Sequence, residues 1–211
     1  MTASPSPDAI VIGAGPAGLA CAATMRAKGV SVTVVEKAED VGSAWRNHYD
    51  RLHLHTDRKH SGLPGMAMPD SYPLYPSRAQ MVEYLESYAA RFDIRPVFAT
   101  KVRSLHQQGT RWSVGTSNGA ITAPVAVVAT GIASAPYRPS WPGMEIYRGR
   151  VAHSSDYRNP APYPGKRVLV VVSAIRAARS LSISPKQAST SRWRFAARFR
   201  SCRAICSVCQ S

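Results

Sequence analysis

The chain has 211 residues, 27 Lys and Arg against 12 Asp and Glu, a formal net charge of +15 and an apolar fraction of 45%. That length holds about one and a half domains of roughly 150 residues and buries a real core, and the composition excludes wholesale disorder. No stretch approaches the ~18 uninterrupted apolar residues of a membrane helix, and MTASPSPDAIVIGAG has neither the basic region nor the cleavage site of a secretory signal. The expected location is cytoplasmic, with no membrane span.

The charge is unevenly spread. Residues 1–172 carry 19 Lys and Arg and all 12 acids, a net +7, whereas residues 173–211 carry 8 basic residues and no acid, a net +8. The same 39 residues contain none of the 14 glycines, nine serines and three of the four cysteines. Two compositions meet abruptly at Val172–Ser173, so the two sides are read separately.

From the N-terminus, residues 1–7 read as a flexible lead. Asp8 to Ile12 is a short apolar run of the kind that forms a buried parallel strand. It enters Gly13-Ala14-Gly15-Pro16-Ala17-Gly18, a G-x-G-x-x-G, followed by LACAATMRAKG, a helical pattern closed by Gly29. SVTVVE reads as a second strand ending at Glu36. Gly13 permits the tight turn, Gly15 admits a pyrophosphate to the backbone and Gly18 lets helix pack on strand. The helix N-terminus offers N–H groups and the positive end of its dipole to phosphate. Glu36 stands 18 residues after Gly18, where a carboxylate meets ribose hydroxyls and repels a 2′-phosphate. The whole strand–turn–helix–strand context points to a dinucleotide other than NADP. Cys21, inside the helix, reads as a small core residue.

The segment after Glu36 resembles the class B flavoprotein monooxygenases, in the branch of flavin-containing and YUCCA-like indole-pyruvate monooxygenases. The resemblance is carried by Gly42, Trp45-Arg46, Tyr49-Asp50-Arg51-Leu52, Leu54-His55, Leu63-Pro64, Tyr72-Pro73 and Tyr75-Pro76, and by an amphipathic helix around Met81 to Leu85. Val125 to Gly131 resembles the strand and Ala-Thr-Gly turn at the edge of the FAD domain. Tyr147, Gly149, His153 and Tyr157 fit the fingerprint F-x-G-x-x-x-H-x-x-x-[Y/F], with Tyr in the first place. Tyr157 stands where the Baeyer–Villiger branch carries Trp. Gly165 to Val171 resembles the strand entering a second nucleotide-binding unit.

The resemblance implies an α/β, Rossmann-like FAD-binding domain of the two-dinucleotide type, present here incompletely. Its expected extent is residues 8–145, with 146–172 as linker and the start of an NADPH domain. It implies FAD contacts at Gly13, Ala14, Gly15, Pro16, Ala17, Gly18, Glu36, Lys37, Trp45, Arg46, His55, Val102, Ala129, Thr130 and Gly131. It also implies NADPH as reductant and oxygenation of a small-molecule substrate through a C4a-peroxyflavin. The protein orients cofactors and excludes water, and no side chain serves as nucleophile. His48, His53, His55 and His60 lack the Cys or paired acidic ligands of a metal site.

Beyond Val172 a second glycine-rich turn is due, and VSAIRAARSLSISPKQAST has no glycine. Taking the third base of each codon with the first two of the next, from Ser173 onward, allows G-N-S-G-R-E-I-A-L-D-L-A-E-A-G-V-D-V, then R-G-P-V and V-P-R-D-L-L-G-L-P. A phosphate loop, an amphipathic helix and a strand follow in order. The expectation is therefore a one-base slip near Val172–Ser173, with 173–211 an out-of-frame, disordered tail that ends early, and an inactive fragment as written. On this reading Cys202, Cys206 and Cys209 are not an iron–sulfur set, and RWRFAARFR is not an RNA-binding arm. Two alternatives remain, an FAD-binding module completed by another chain and a basic-tailed nucleic-acid binder. Nucleic acid is not an expected partner, and the sequence does not set an oligomeric state.

Overall fold

A computed structural model describes residues 6–132, 135–140, 142–172, 192–197 and 205–209. The chain divides into two compact units, one of residues 1–47 and 53–134, the other of 48–52 and 135–211.

The first unit is built on the apolar strand β1 (Ala9–Ile12), all four residues of which are buried. It pairs in parallel with β2 (Val32–Val35) on one side and β6 (Val125–Val128) on the other, Ala9 facing both Val32 and Val125. Side chains alternate across a strand, and β1 uses both faces. Val11 joins a cluster with Leu19, Ala22, Tyr84, Leu85 and Tyr88 from helices α1 (Pro16–Arg26) and α3 (Arg78–Arg91). Ile10 and Ile12 join Val114 and Ala123 on the opposite side. Those residues belong to an antiparallel meander of β3 (Val102–Gln108), β4 (Arg111–Thr116) and β5 (Gly119–Ala123). The unit is thus helices, parallel sheet and meander in three layers. Cys21 packs half-buried on the helical cluster, as a small core residue should.

Asp8, just before β1, accepts the Ser31 N–H at 2.9 Å and the Ser31 hydroxyl at 2.6 Å, and so ties the entry of β1 to that of β2. The hydroxyl first, and the N–H second, hold the Asp8 carboxyl below the usual carboxylate range.

Helix α3 begins with a capping box in which the Ser77 hydroxyl accepts from Gln80 N–H and the Gln80 side chain accepts from Ser77 N–H. Its tyrosines hold the Leu63–Met66 turn: the Tyr84 hydroxyl accepts Leu63 N–H at 2.7 Å and donates to the Met66 carbonyl at 2.6 Å, and Tyr88 donates to the Pro64 carbonyl at 2.7 Å. Tyr84→Phe leaves the packing ring but removes both bonds, and is expected to lower stability by about 1–2 kcal/mol, read by thermal or urea unfolding. An unchanged midpoint would show that the turn is held by packing alone.

In the second unit β7 (Val151–Ala152), β8 (Arg167–Val172), β9 (Arg192–Ala197) and β10 (Ile205–Cys209) form a sheet in the order β7-β10-β8-β9. β9 runs parallel to β8, and β10 runs antiparallel to β7 and β8. The expected disorder of 173–211 falls mostly outside the described residues, but 192–197 and 205–209 are strands. Among the described residues no helix is long and apolar enough to cross a membrane.

Candidate functional site

The glycine turn lies at the carboxyl end of β1, and the three glycines meet different surroundings. Gly13 has φ +110°, a region L side chains rarely adopt, and a Cβ there would stand 2.6 Å from the Ala129 carbonyl oxygen. A Cβ on Gly18 would stand 1.9 Å from the Gly13 carbonyl oxygen and 3.3 Å from Val11 Cγ1. Both positions are closed by the protein's own backbone. A Cβ on Gly15 would meet nothing within 4 Å among the described residues, so the missing side chain at Gly15 leaves space that none of their atoms fills.

Gly15 is also the N-cap of α1, without a side-chain capping bond, and Pro16 opens the helix. The first-turn N–H groups have no acceptor within the helix, and Pro16 costs nothing there because its missing N–H is one of these. With the dipole this makes a positive end facing the open side of Gly15. Ala14 is fully buried, Pro16 half-buried and Ala17 exposed.

Glu36 follows β2 and is 6% exposed. One carboxylate oxygen accepts Ala14 N–H at 2.7 Å and the other accepts Ala38 N–H at 3.0 Å. Its backbone is held as well, with Glu36 N–H donating to the Val97 carbonyl and Thr100 N–H to the Glu36 carbonyl. The expected ribose acceptor is therefore also the brace of the glycine turn. A carboxylate offers about four lone-pair positions, and these two bonds use half of them.

The Ala-Thr-Gly turn comes to the same place. Ala129 N–H donates to the Ile12 carbonyl at 2.9 Å and Ala129 is half-buried, while Thr130 is exposed and Gly131 has φ +74°. Residues 13 and 129, far apart in the chain, are thus neighbours. Gly42 was quoted in the resemblance but not counted among the site residues, and the structure adds it. Its N–H donates to the Ala14 carbonyl at 3.1 Å, its φ is +69°, and a Cβ would be 2.9 Å from Leu85 Cδ1. A glycine just before Trp45-Arg46 was the available signal.

Gly42 caps the short helix α2 (Ser43–Arg46). Trp45 packs half-buried against the helical core. Arg46 donates from Nε to the Val41 carbonyl at 3.2 Å and pairs with Glu86, and its carbonyl accepts Arg78 Nη1 at 2.7 Å. Val102 opens β3 and packs on the meander side of the sheet. Lys37 and His55 are exposed, and among the described residues no hydrogen bond of the turn reaches them.

The fingerprint belongs to the second unit. His153 caps a 3-10 turn, Ser154–Asp156, with Nδ1 accepting Ser155 N–H at 3.1 Å and Asp156 accepting His153 N–H at 3.2 Å. Burial raises the Asp156 carboxyl, but the His153 N–H, Arg138 and Ser155 outweigh it and the net shift is downward. Tyr157 lies between the rings of Tyr49 and Tyr163, at centroid separations of 6.4 and 6.2 Å. Tyr147 and Gly149 are half-buried in the preceding segment. Of the fingerprint residues, His153 caps a turn and Tyr157 joins the aromatic packing beside it.

The family model described as pyridine nucleotide-disulphide oxidoreductase matches residues 10–183. Indole-3-pyruvate monooxygenase YUCCA1 of Oryza sativa subsp. japonica is 40% identical over 169 residues, 78% of this chain and 42% of that protein. The chain spans about two fifths of the length of the curated relatives it matches. The flavin-containing monooxygenase from Stenotrophomonas maltophilia has a similar structure, with a TM-score of 0.84 and 28% identity over 93% of this chain and 59% of that one. An oxidized steroid monooxygenase bound to NADP aligns with a TM-score of 0.69 and 29% identity, covering 92% of this chain and 38% of that one. A buried parallel strand, its glycine turn and a bracing acid therefore occur in the company these relatives define: the chain belongs to the pyridine nucleotide-disulphide oxidoreductase family and, within it, to the class B flavoprotein monooxygenases.

Proposed function

We propose that the first unit holds FAD and that the chain is the FAD-binding part of an NADPH-using monooxygenase with a small-molecule substrate. Gly15 carries the reading: its Cβ position is open while those of Gly13 and Gly18 are closed by backbone. The N–H groups of Ala17 and Gly18 would receive the pyrophosphate, and Glu36 would take ribose hydroxyls on its remaining lone pairs. Ala129, Thr130 and Gly131 would wall the turn from the β6 side. Lys37, Trp45, Arg46, His55 and Val102 are assigned to the same cofactor by family position. FAD supplies the redox chemistry when bound, accepting a hydride and activating oxygen. The chain's residues bind it, orient it and keep water from it.

Gly15→Val tests this. The variant should still fold, with a loss of about 1 kcal/mol for a valine at the N-cap, since a Cβ there meets nothing within 4 Å among the described residues, and should purify without the flavin absorbance expected of the parent chain. A variant that stays equally yellow would refute the site.

The chain as it stands is read as a cytoplasmic fragment without NADPH turnover, and residues 173–211 as an out-of-frame segment. A second reading, an FAD-binding module completed by another chain, is favoured by one observation. β6 is apolar throughout, yet among the described residues its outer edge pairs with no strand, and Val125 and Val128 are 44% and 61% exposed. Parallel strands of this composition are normally covered on both sides.

A further inference from the structure

We infer that this chain has one dinucleotide site rather than the two its family implies, because the residues that follow β8 include none of the glycines that a pyrophosphate turn requires. The inference rests on the reading of the β1 turn as the FAD site.

The β1 turn shows what such a site demands. One position must take φ +110°, one must lie against a backbone oxygen without a Cβ, and one must leave open space on the ligand's side. Counted from the last strand residue, Ile12 in β1 and Val172 in β8, positions 13, 15 and 18 correspond to Ser173, Ile175 and Ala178. Residues 173–191 lie outside the described ones, and it is the sequence that puts these side chains there. In a turn of the β1 kind a serine would resist the positive φ, an isoleucine would fill the space a phosphate needs, and an alanine would bring a Cβ to the closest contact. No change of register helps, since no glycine follows Gly165. NADPH therefore does not fit the residues present.

The strands agree. β1 runs between two parallel neighbours, so carboxyl ends gather at its turn, the arrangement that makes a nucleotide crevice. β8 has a parallel neighbour in β9 but an antiparallel one in β10, whose first residue, Ile205, pairs with Val171. The carboxyl end of β8 thus has the amino end of a strand beside it.

Equilibrium dialysis of the full chain against FAD and, separately, NADP+ decides the matter, with Gly15→Val run in parallel. The expected result is saturable FAD binding near one per chain and NADP+ binding weaker by roughly 100-fold or more. NADP+ binding that disappears in Gly15→Val belongs to the β1 turn and keeps the count at one. Saturable NADP+ binding that persists in Gly15→Val would overturn the inference. Absence of FAD binding would overturn the reading of the first site, and with it the count of one.

Discussion

Inserting one nucleotide after the Val172 codon is expected to turn the downstream sequence into an open frame reading G-N-S-G-R-E-I-A-L-D-L and continuing towards the length of the relatives. The resulting protein should bind NADP+ and oxidise NADPH in a flavin-dependent way, where the present chain is proposed to do neither. In the shifted reading two of three bases in every codon are dictated by the residues from Ser173 on, so only the remaining base is free. Chance rarely assembles a glycine turn, then an amphipathic run, then an apolar strand under that constraint, and an in-frame sequence shows levels that agree with one another. Sequencing the coding DNA is the first check. A stop codon soon after the junction in the shifted frame would defeat the proposal, as would a restored protein that binds flavin but no NADP+.

Gly18→Ala is expected to damage the first unit itself. The added methyl would lie 1.9 Å from the Gly13 carbonyl oxygen, a backbone atom that cannot rotate away. α1 must then lift from β1 and disturb the Leu19, Ala22 and Val11 contacts. Overpacking of this kind costs about 3 kcal/mol, and for a unit of this size a shift in Tm of roughly 10 °C follows. The contrast with Gly15→Val is the informative part. On the proposed reading one glycine serves the fold and the other the ligand, so Gly18→Ala should lower the unfolding midpoint strongly and flavin retention with it, whereas Gly15→Val should abolish retention with only a small change in midpoint. A loss of midpoint in Gly15→Val as large as that in Gly18→Ala would contradict this division.

Part of this unit was legible from residue order. Strands β1 and β2, the α1 pattern, the closing Gly29 and the strand at Val125 are local features, written in short apolar runs and glycine placement, and the structure has them within one to three residues at most ends. The meander was not legible. β3 reads VRSLHQQ, a strand whose residues are exposed or half-buried, so its alternation is weak. Its one fully buried anchor in β4, Val114, takes meaning only against Ile10 and Ile12. Gly42 escaped the site assignment for a similar reason, because its N–H meets Ala14 across a gap in sequence that no local pattern spans.

The same distinction separates the two halves of the site. The chain alone determined the family, the glycine turn and the break in composition at Val172, since each rests on residue identity and near spacing. Only the tertiary structure decided that Glu36 braces the turn through Ala14, that Ala129 closes on Gly13, and that Gly15 faces open space while Gly13 and Gly18 do not. A glycine is the same letter wherever it stands. What it lacks a side chain for depends on which atoms the folded chain brings within a Cβ's reach, and for Gly13 those atoms belong to Ala129, more than a hundred residues away.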